Sequence, residues 1–440
     1  MRDRKFDGTP DVLLATGSAG GTLSAVRELS KNGLNVAVIS NRFFCPSSWS
    51  RFVKRSYKGP PERESRLFLD FLLEIGSASP GQVLLPTSDE TAWLYTRHAP
   101  VLAKYFRLHQ PSIETMERIL DKKLLADAAQ EAGLAVLPTW EPRSFSDVVA
   151  TAATLPYPIL IKPRTQVRRS RNDKGMIATS EPELIENFRE YLALEHAEGK
   201  DHFLPDTSIP LLQYFVDIGT DGVYSVSGYI DETGEHFVTR QATKVFQRSQ
   251  PAGVGVCFES LPTDPTLSES VRRLCRELNY FGIFEVEFIR FDGRWAIIDF
   301  NPRLFSQAAM DAHRGMPLSL FAYLESAGRT SDLHKAIAIA REEGEDKQAV
   351  FYDRFTLRAI LAAKTLTRRA TRKERLYWQN WMKQNAAHSV DFAADKTDLM
   401  PGFVHAVSEM ILGIKALRRF FRSTPQVASS REPLAIKVSQ

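Results

Sequence analysis

The chain has 440 residues, 43% of them apolar, and a formal net charge of +4. That length allows roughly two to four structural units with ample cores, and so small a charge does not by itself call for nucleic acid. The three scattered cysteines (Cys45, Cys257, Cys275) have neither disulfide nor metal-ligand spacing, no apolar run approaches the ~20 residues of a membrane span, and no signal peptide is recognisable, so a cytoplasmic protein is expected.

Asp11 to Asn41 reads as strand (DVLLAT), glycine-rich turn (GSAGG), amphipathic helix ending at Gly33, and second strand (LNVAVIS). This is a βαβ unit, which implies a parallel sheet. Gly17, Gly20 and Gly21 suit either a ligand at the helix N-terminus or a purely structural turn. A helix over 63–75 and a strand over 82–86 follow. Ser88 or Asp89 then caps a helix over 90–97, which is the preferred reading for Asp89 alone, although a polar TSDE cluster just past the carboxyl end of a parallel strand is also where open α/β sheets place ligands. Residues 1–112 are expected to form an α/β domain.

Ile113 to Gly133 reads as one helix starting at Ser112, and Lys122 inside it is by itself an ordinary solvated lysine. LAVLPTW follows as a strand. YPILIKPR is a short strand between prolines; Lys162 at its end is either aimed at a ligand or snorkelling to solvent. The next loop carries Arg164, Arg168, Arg169, Arg171 and Lys174, open to polyanion binding or plain solvation. A helix over 183–198 leads to two strands, IPLLQYFV and VYSVSGYI, around DIGTDG. In HFVTRQATKVF, Arg240 and Lys244 share a strand face. A helix over 266–279 carries an apolar stripe.

Phe281 to Gln307 is a hairpin turning at Asp292-Gly293. Strand alternation puts Glu285 and Glu287 on one face, and Asp299, Asn301 and Arg303 on one face of the partner strand. Carboxylates and an amide oxygen suit a hard cation such as Mg2+, and the guanidinium suits phosphate or carboxylate. His313 follows, as a base or, preferably, a structural histidine. Beyond residue 331, helices over 355–366 and 368–381 are rich in Arg and Lys. Residues 402–422 show a stripe of Phe403, Val407, Met410, Ile411, Ile414, Leu417 and Phe421 with Lys415, Arg418, Arg419 and Arg422 in the last turns. The stripe is expected to pack on the core; docking on an anionic membrane or a partner is the alternative. The tail from Ser423 is expected to be disordered.

LDKKLLADAAQEAGLAVLPT, ILIKP, LLQYFVDIGTDG and GIFEVEFIRFDGRWAIIDFNPR occur in that order within residues 11–330, and together resemble the ATP-grasp superfamily, in its carboxylate–amine ligase-like branch of carbamoyl-phosphate-synthase and biotin-carboxylase type. The resemblance implies a mixed α/β and α+β architecture. A parallel-sheet pre-ATP-grasp domain (1–112) would precede a two-lobed ATP-grasp domain (113–330; lid lobe about 135–215, metal lobe about 216–330) and a helical, basic C-terminal extension (331–440). It implies that Lys122 and Lys162 bind ATP phosphates, that Gln213, Tyr214, Phe215 and Val216 line the adenine pocket, and that Asp221 holds the ribose. Lys244 would reach phosphate or substrate. Glu287, Asp299 and Asn301 would carry Mg2+, with Mn2+ as an alternative, and Arg303 would face the reacting carboxylate. Two departures stand out: Asp299 replaces a commoner glutamate, and the loop after Lys162 is Arg-rich where the family has glycines. The implied activity activates a carboxylate as an acyl phosphate with ATP and couples it to an amine, releasing ADP and phosphate. Alternatives are a carboxylase using bicarbonate and a non-catalytic ATP-binding regulator. Small-molecule acid and amine substrates are the implied partners, with a homodimer as the expected assembly at most.

Overall fold

The computed structural model describes residues 8–167, 174–194, 208–218, 222–248, 253–343, 347–367 and 370–422. The first sheet is parallel, with strands in the order Val53–Lys58, Val36–Ser40, Val12–Leu14, Val83–Leu85. Its central strands are continuous apolar runs because helices cover both faces. The glycine-rich turn enters helix Gly20–Lys31. A Cβ on Gly17 would lie 2.8 Å from Cys45 Sγ, and one on Gly21 would lie 2.8 Å from the Leu304 carbonyl carbon. These glycines are therefore required sterically: Gly17 lets the turn close on the second strand and Cys45, and Gly20 and Gly21 let the helix close on Leu304 to Ser306 after the hairpin, while Gly20 and Gly21 also line a cavity described below.

The second sheet has eight strands, in the order Ser389–Asp391, Val350–Tyr352, Val254–Leu261, Phe237–Arg248, Val223–Ile230, Gly282–Phe291, Arg294–Asn301, Ala135–Val136. Its interior is antiparallel and its two edge pairings are parallel. Helix Pro265–Glu277, capped by Asp264, lays Leu267, Val271 and Leu274 against Phe284, Val286, Phe288 and Phe300. That packing buries one face of the hairpin and leaves the other for polar side chains. The third sheet, Thr139–Trp140, Leu211–Tyr214, Ile159–Lys162, Met176–Ala178, is backed by helices Phe145–Thr151 and Glu181–Leu194.

Several expectations need correction. The single helix over 113–133 is two, Ile113–Leu120 and Lys122–Glu131, broken at Asp121. LAVLPTW divides into two short strands in different sheets, because Pro138 between them has no N–H for a continuous ladder. The C-terminal region is mainly helical but adds two three-residue strands to the large sheet, too short for any periodic signal. Helix Leu399–Arg422 buries Pro401, Gly402, Val404, His405 and Glu409, whereas Phe403 and Met410 of the expected stripe are 65% and 60% exposed. Asp353 and Arg248 provide the reason. They face this helix and select its polar side: His405 Nε2 lies 2.8 Å from Asp353 Oδ2, and Arg248 donates to Glu409 at 3.1 Å. Arg368, Arg369 and the tail from Ser423 lie outside the described residues, as do the side chains of Ile414, Lys415, Leu417, Arg418, Arg419, Phe421 and Arg422. No helix among the described residues is long and apolar enough to cross a membrane.

Candidate active site

Register builds the centre of the site. Glu285 pairs with Asn301 and Glu287 with Asp299 across the hairpin, and directly opposed residues project to the same side. The four side chains form one buried polar patch on the face that the aromatic core does not use. Buried carboxylates need partners, and cations converge on these from four segments.

The break at Asp121 positions the first cation. Asp121 is fully buried and caps the second helix, accepting the N–H groups of Lys123 (2.8 Å) and Leu124 (3.1 Å), and also pairs with Arg164 Nε at 2.5 Å. Lys122 thereby becomes the first residue of that helix and its ammonium pairs with Asp299. Lys162, at the end of strand Ile159–Lys162, donates to Gln213 Oε1 and to the Ile298 carbonyl, both at 3.0 Å. Lys244 pairs with Glu287 at 2.8 Å, and Lys174 lies 3.4 Å from Asp299. Arg303 donates to Asn301 Oδ1 (2.8 Å) and to Asp89 Oδ1 (2.9 Å). Glu285 accepts from the side-chain amides of Asn301 (3.1 Å) and Gln307.

This arrangement divides the acids. Burial, with Glu287 beside it, pushes Glu285 up to about 8. Burial also acts on Glu287 and Asp299, but Lys244 holds the first below its ordinary value, and Lys122 and Lys174 hold the second well below. The two carboxylates held low are thus opposed across the strands, and the one pushed up sits a rung away. Burial, then the neighbouring Lys122 charge, brings Lys162 down to about 8.

Two cavities meet at this patch. One, of about 130 Å³, lies between the third and second sheets and is lined by Leu137, Leu160, Lys162, Gln213, Tyr214, Phe215, Val216, Ile289, Ile298 and Asp299. The main-chain N–H groups of Tyr214 and Phe215 are already donated to the Pro138 and Pro158 carbonyls at 2.9 Å. The second, of about 560 Å³, runs from Glu285, Glu287, Asn301 and Arg303 to Gly20, Arg42, Arg63 and Asp89 of the first sheet's loops.

Eleven of the twelve residues expected in the site line these cavities or contact the patch, and Asp221 lies outside the described residues. Arg168, Arg169 and Arg171 of the basic loop are outside them as well. Three contributors were not among the residues expected in the site. Asp89 read as a helix cap, but Ser88 is the cap and Asp89 is left to orient Arg303. Lys174 was read only as one cation of the basic loop open to polyanion binding, and Gln307 gave no signal beyond its nearness to the hairpin. His313 is exposed and lines neither cavity.

No family model matches the chain. A parallel N-terminal sheet, a small antiparallel sheet over a larger one, and a polar hairpin between them define an ATP-grasp fold. Among solved structures, the chain is similar to the biotin carboxylase domain of Hydrogenobacter thermophilus 2-oxoglutarate carboxylase (TM-score 0.57, 17% identity, 73% of this chain and 70% of that one). It is also similar to an L-amino acid ligase from Bacillus licheniformis (0.54, 15%, 72% and 74%) and to N5-carboxyaminoimidazole synthetase from Staphylococcus aureus (0.52, 16%, 74% and 80%). A carbamoyl phosphate synthase large chain from Methanothermobacter thermautotrophicus is 27% identical over 204 residues. That match spans 43% of this chain and only 17% of the relative's length.

Proposed function

We propose that the chain is an ATP-dependent ligase that activates a small-molecule carboxylate as an acyl phosphate and couples it to an amine, releasing ADP and phosphate. The observation that carries this reading is the opposed pair Glu287 and Asp299 held charged among Lys122, Lys162, Lys174 and Lys244. A pair of ionised carboxylates beside an amide oxygen fits a hard divalent cation, and the surrounding ammonium groups fit a polyphosphate. The biotin carboxylase relative was solved with MgADP and bicarbonate, which accords with this donor set. Mg2+ would be held by Glu287, Asp299 and Asn301, with Mn2+ able to substitute on the same oxygen ligands; it neutralises and orients phosphate oxygens when bound.

The chain's own groups supply the rest. Leu137, Leu160, Ile289 and Ile298 would enclose the base, with Gln213 to Val216 along one side and Asp221 toward the ribose. Lys122 and Lys162 would exchange their carboxylate, amide and carbonyl partners for phosphate oxygens. A carboxylate resists an amine because its leaving group would be oxide; transfer of the γ-phosphoryl group to it supplies phosphate as the leaving group. Arg303, aimed by Asp89, would orient that carboxylate and stabilise the oxyanion as the amine attacks. The cavity on this side, about 560 Å³, favours an organic acid over bicarbonate, which would fill a small part of it. We assign residues 1–112 to the domain contributing Asp89, 113–330 to the ATP-grasp domain and 331–440 to an extension that edges its sheet.

The test is a screen of acids and amines with the purified full-length chain, reading ADP and inorganic phosphate. Amine-dependent release of both is expected. AMP and pyrophosphate as products would overturn the acyl-phosphate reading, and ADP release with bicarbonate as the sole acid would replace it with the carboxylase.

A further inference from the structure

Strand Val223–Ile230 links the polar patch to a second cluster. Ser225 stands opposite Glu287, whereas Ile230 stands opposite Gly282. The turn that begins at Asp231 is therefore ~20 Å along the strand from the nucleotide site. There, three side chains from the turn and from helix Thr330–Glu342 meet. Asp231 is 2% exposed and is held by the His236 N–H (3.0 Å to Oδ1) and the Thr233 hydroxyl (2.7 Å to Oδ2). The ring of His236, which closes the turn, stacks on that of His334 from the helix, centroids 3.5 Å apart and 14° from parallel. His334 Nε2 approaches Asp231 Oδ2 to 3.4 Å, yet this buried nitrogen makes no hydrogen bond.

We propose that Asp231, His236 and His334 form a binding site for a transition-metal dication of the Zn2+ class, separate from the site for the nucleotide's metal. One ligand atom from each residue lies within 4.8 Å of the others. Ligands on a tetrahedral ion with bonds of ~2.0–2.2 Å stand ~3.4 Å apart. The Asp231–His334 pair already has that spacing, and His236 offers its ring nitrogen within 4.8 Å of both. Two imidazoles and one carboxylate suit Zn2+, Co2+ or Ni2+, whereas the all-oxygen set on the hairpin suits Mg2+. An orphaned buried nitrogen is unfavourable, and a cation between it and the carboxylate satisfies both groups. The Thr233 hydroxyl and the His236 N–H already hold the carboxylate in place, as the outer partners of metal ligands do. Both histidines are partly exposed, which gives an ion access from solvent and leaves water to complete its shell. A bound ion would fasten the sheet's turn to helix Thr330–Glu342.

The test uses the full chain, stripped with chelator and titrated with Co2+ in excess Mg2+. One equivalent of Co2+ is expected to give the intense visible d–d absorption of a tetrahedral or five-coordinate site, and Zn2+ to displace it and raise the melting temperature. His236→Gln and His334→Gln lie at partly exposed positions. Each should weaken Co2+ binding at least tenfold and remove the Zn2+-dependent rise, with the metal-free melting temperature reporting that the variants fold. A wild type without the absorption, or the same absorption in the H236Q/H334Q double variant, would overturn the proposal and leave a stacked histidine–aspartate pair only.

Discussion

The hairpin and the C-terminal helix are both amphipathic stretches, and they use their faces in opposite ways. In the hairpin, the aromatic face is buried under helix Pro265–Glu277, and the polar face becomes the site. In helix Leu399–Arg422, Phe403 and Met410 remain in solvent while His405 and Glu409 go inward. The hairpin's inner surface is set by an apolar neighbour, whereas the helix meets a carboxylate and a guanidinium already fixed on other elements. Amphipathicity marks two faces; which one is covered depends on the surface that chain topology brings opposite.

The sharpest way to break the hairpin side of this contrast is to remove an oxygen ligand from its polar face. Asp299→Asn or Asn301→Ala is expected to lower Mg2+-dependent turnover by about 10³-fold or more, the scale of losing preorganised charge stabilisation at the reacting phosphoryl group. Circular dichroism should stay native. ADP release near the wild-type rate, once a substrate pair is known, would remove these residues from the metal site.

The C-terminal side has its own charged anchor, and its loss should be the largest effect on stability. Asp398, just before the helix, is 1% exposed and accepts from Arg27 Nε (3.1 Å), Ser50 Oγ (2.7 Å) and the Arg51 N–H (2.8 Å). Asp398→Ala would leave Arg27 buried without its partner, at a cost of about 3–5 kcal/mol. Denaturant unfolding measures it. A loss under about 1 kcal/mol would mean that the remaining contacts, among them Arg27 to the Ala393 carbonyl at 2.8 Å, and not the ion pair, hold this region to the first sheet.

Lys162 sharpens the comparison through pH. Lys162→Met should weaken ATP binding about ten- to a hundredfold, as expected for one charge-assisted phosphate contact. In the free protein its proton is held only up to about pH 8, because burial and Lys122 disfavour the charge. ATP phosphates favour the ammonium and raise that value in the complex. Affinity should therefore be level below pH 8 and fall as pH rises through it, with proton uptake on binding. Calorimetry in two buffers of different ionisation enthalpy reads that uptake directly; the same slope in the Lys162→Met variant would assign it elsewhere.

How much of this was legible follows from the length scale of each signal. Strand alternation alone grouped Glu285, Glu287, Asp299 and Asn301, and ordered short motifs resembling a known superfamily brought Lys122, Lys162 and Gln213 to them. Asp89 lay in a polar cluster at a strand's carboxyl end, but a residue at a helix start has a local explanation that outweighs this, and its role emerges only when Arg303 arrives from 214 positions away. The break at Asp121 was hidden for a related reason: it interrupts a good helical pattern with a residue whose partner, Arg164, is 43 positions distant. The Asp231–His236–His334 cluster has no local pattern, since a turn and a helix 98 positions apart supply it.

The smallest expected effect tests the contrast where the sequence pattern and the structure disagree. On the apolar pattern alone, Phe403 belongs to a buried stripe, and Phe403→Ser would cost about 3–5 kcal/mol, as core truncations of large aromatics do. Its 65% exposure instead places most of the ring in water in both the folded and unfolded states. The change should then stay within about 0.5 kcal/mol, and Met410→Ser likewise. Val404→Ser, at 3% exposure one position along, should cost several times more. Equal losses at Phe403 and Val404 would mean that the outer face of the helix is covered in solution. A change confined to Val404 would fix the inner face as the one the fold requires.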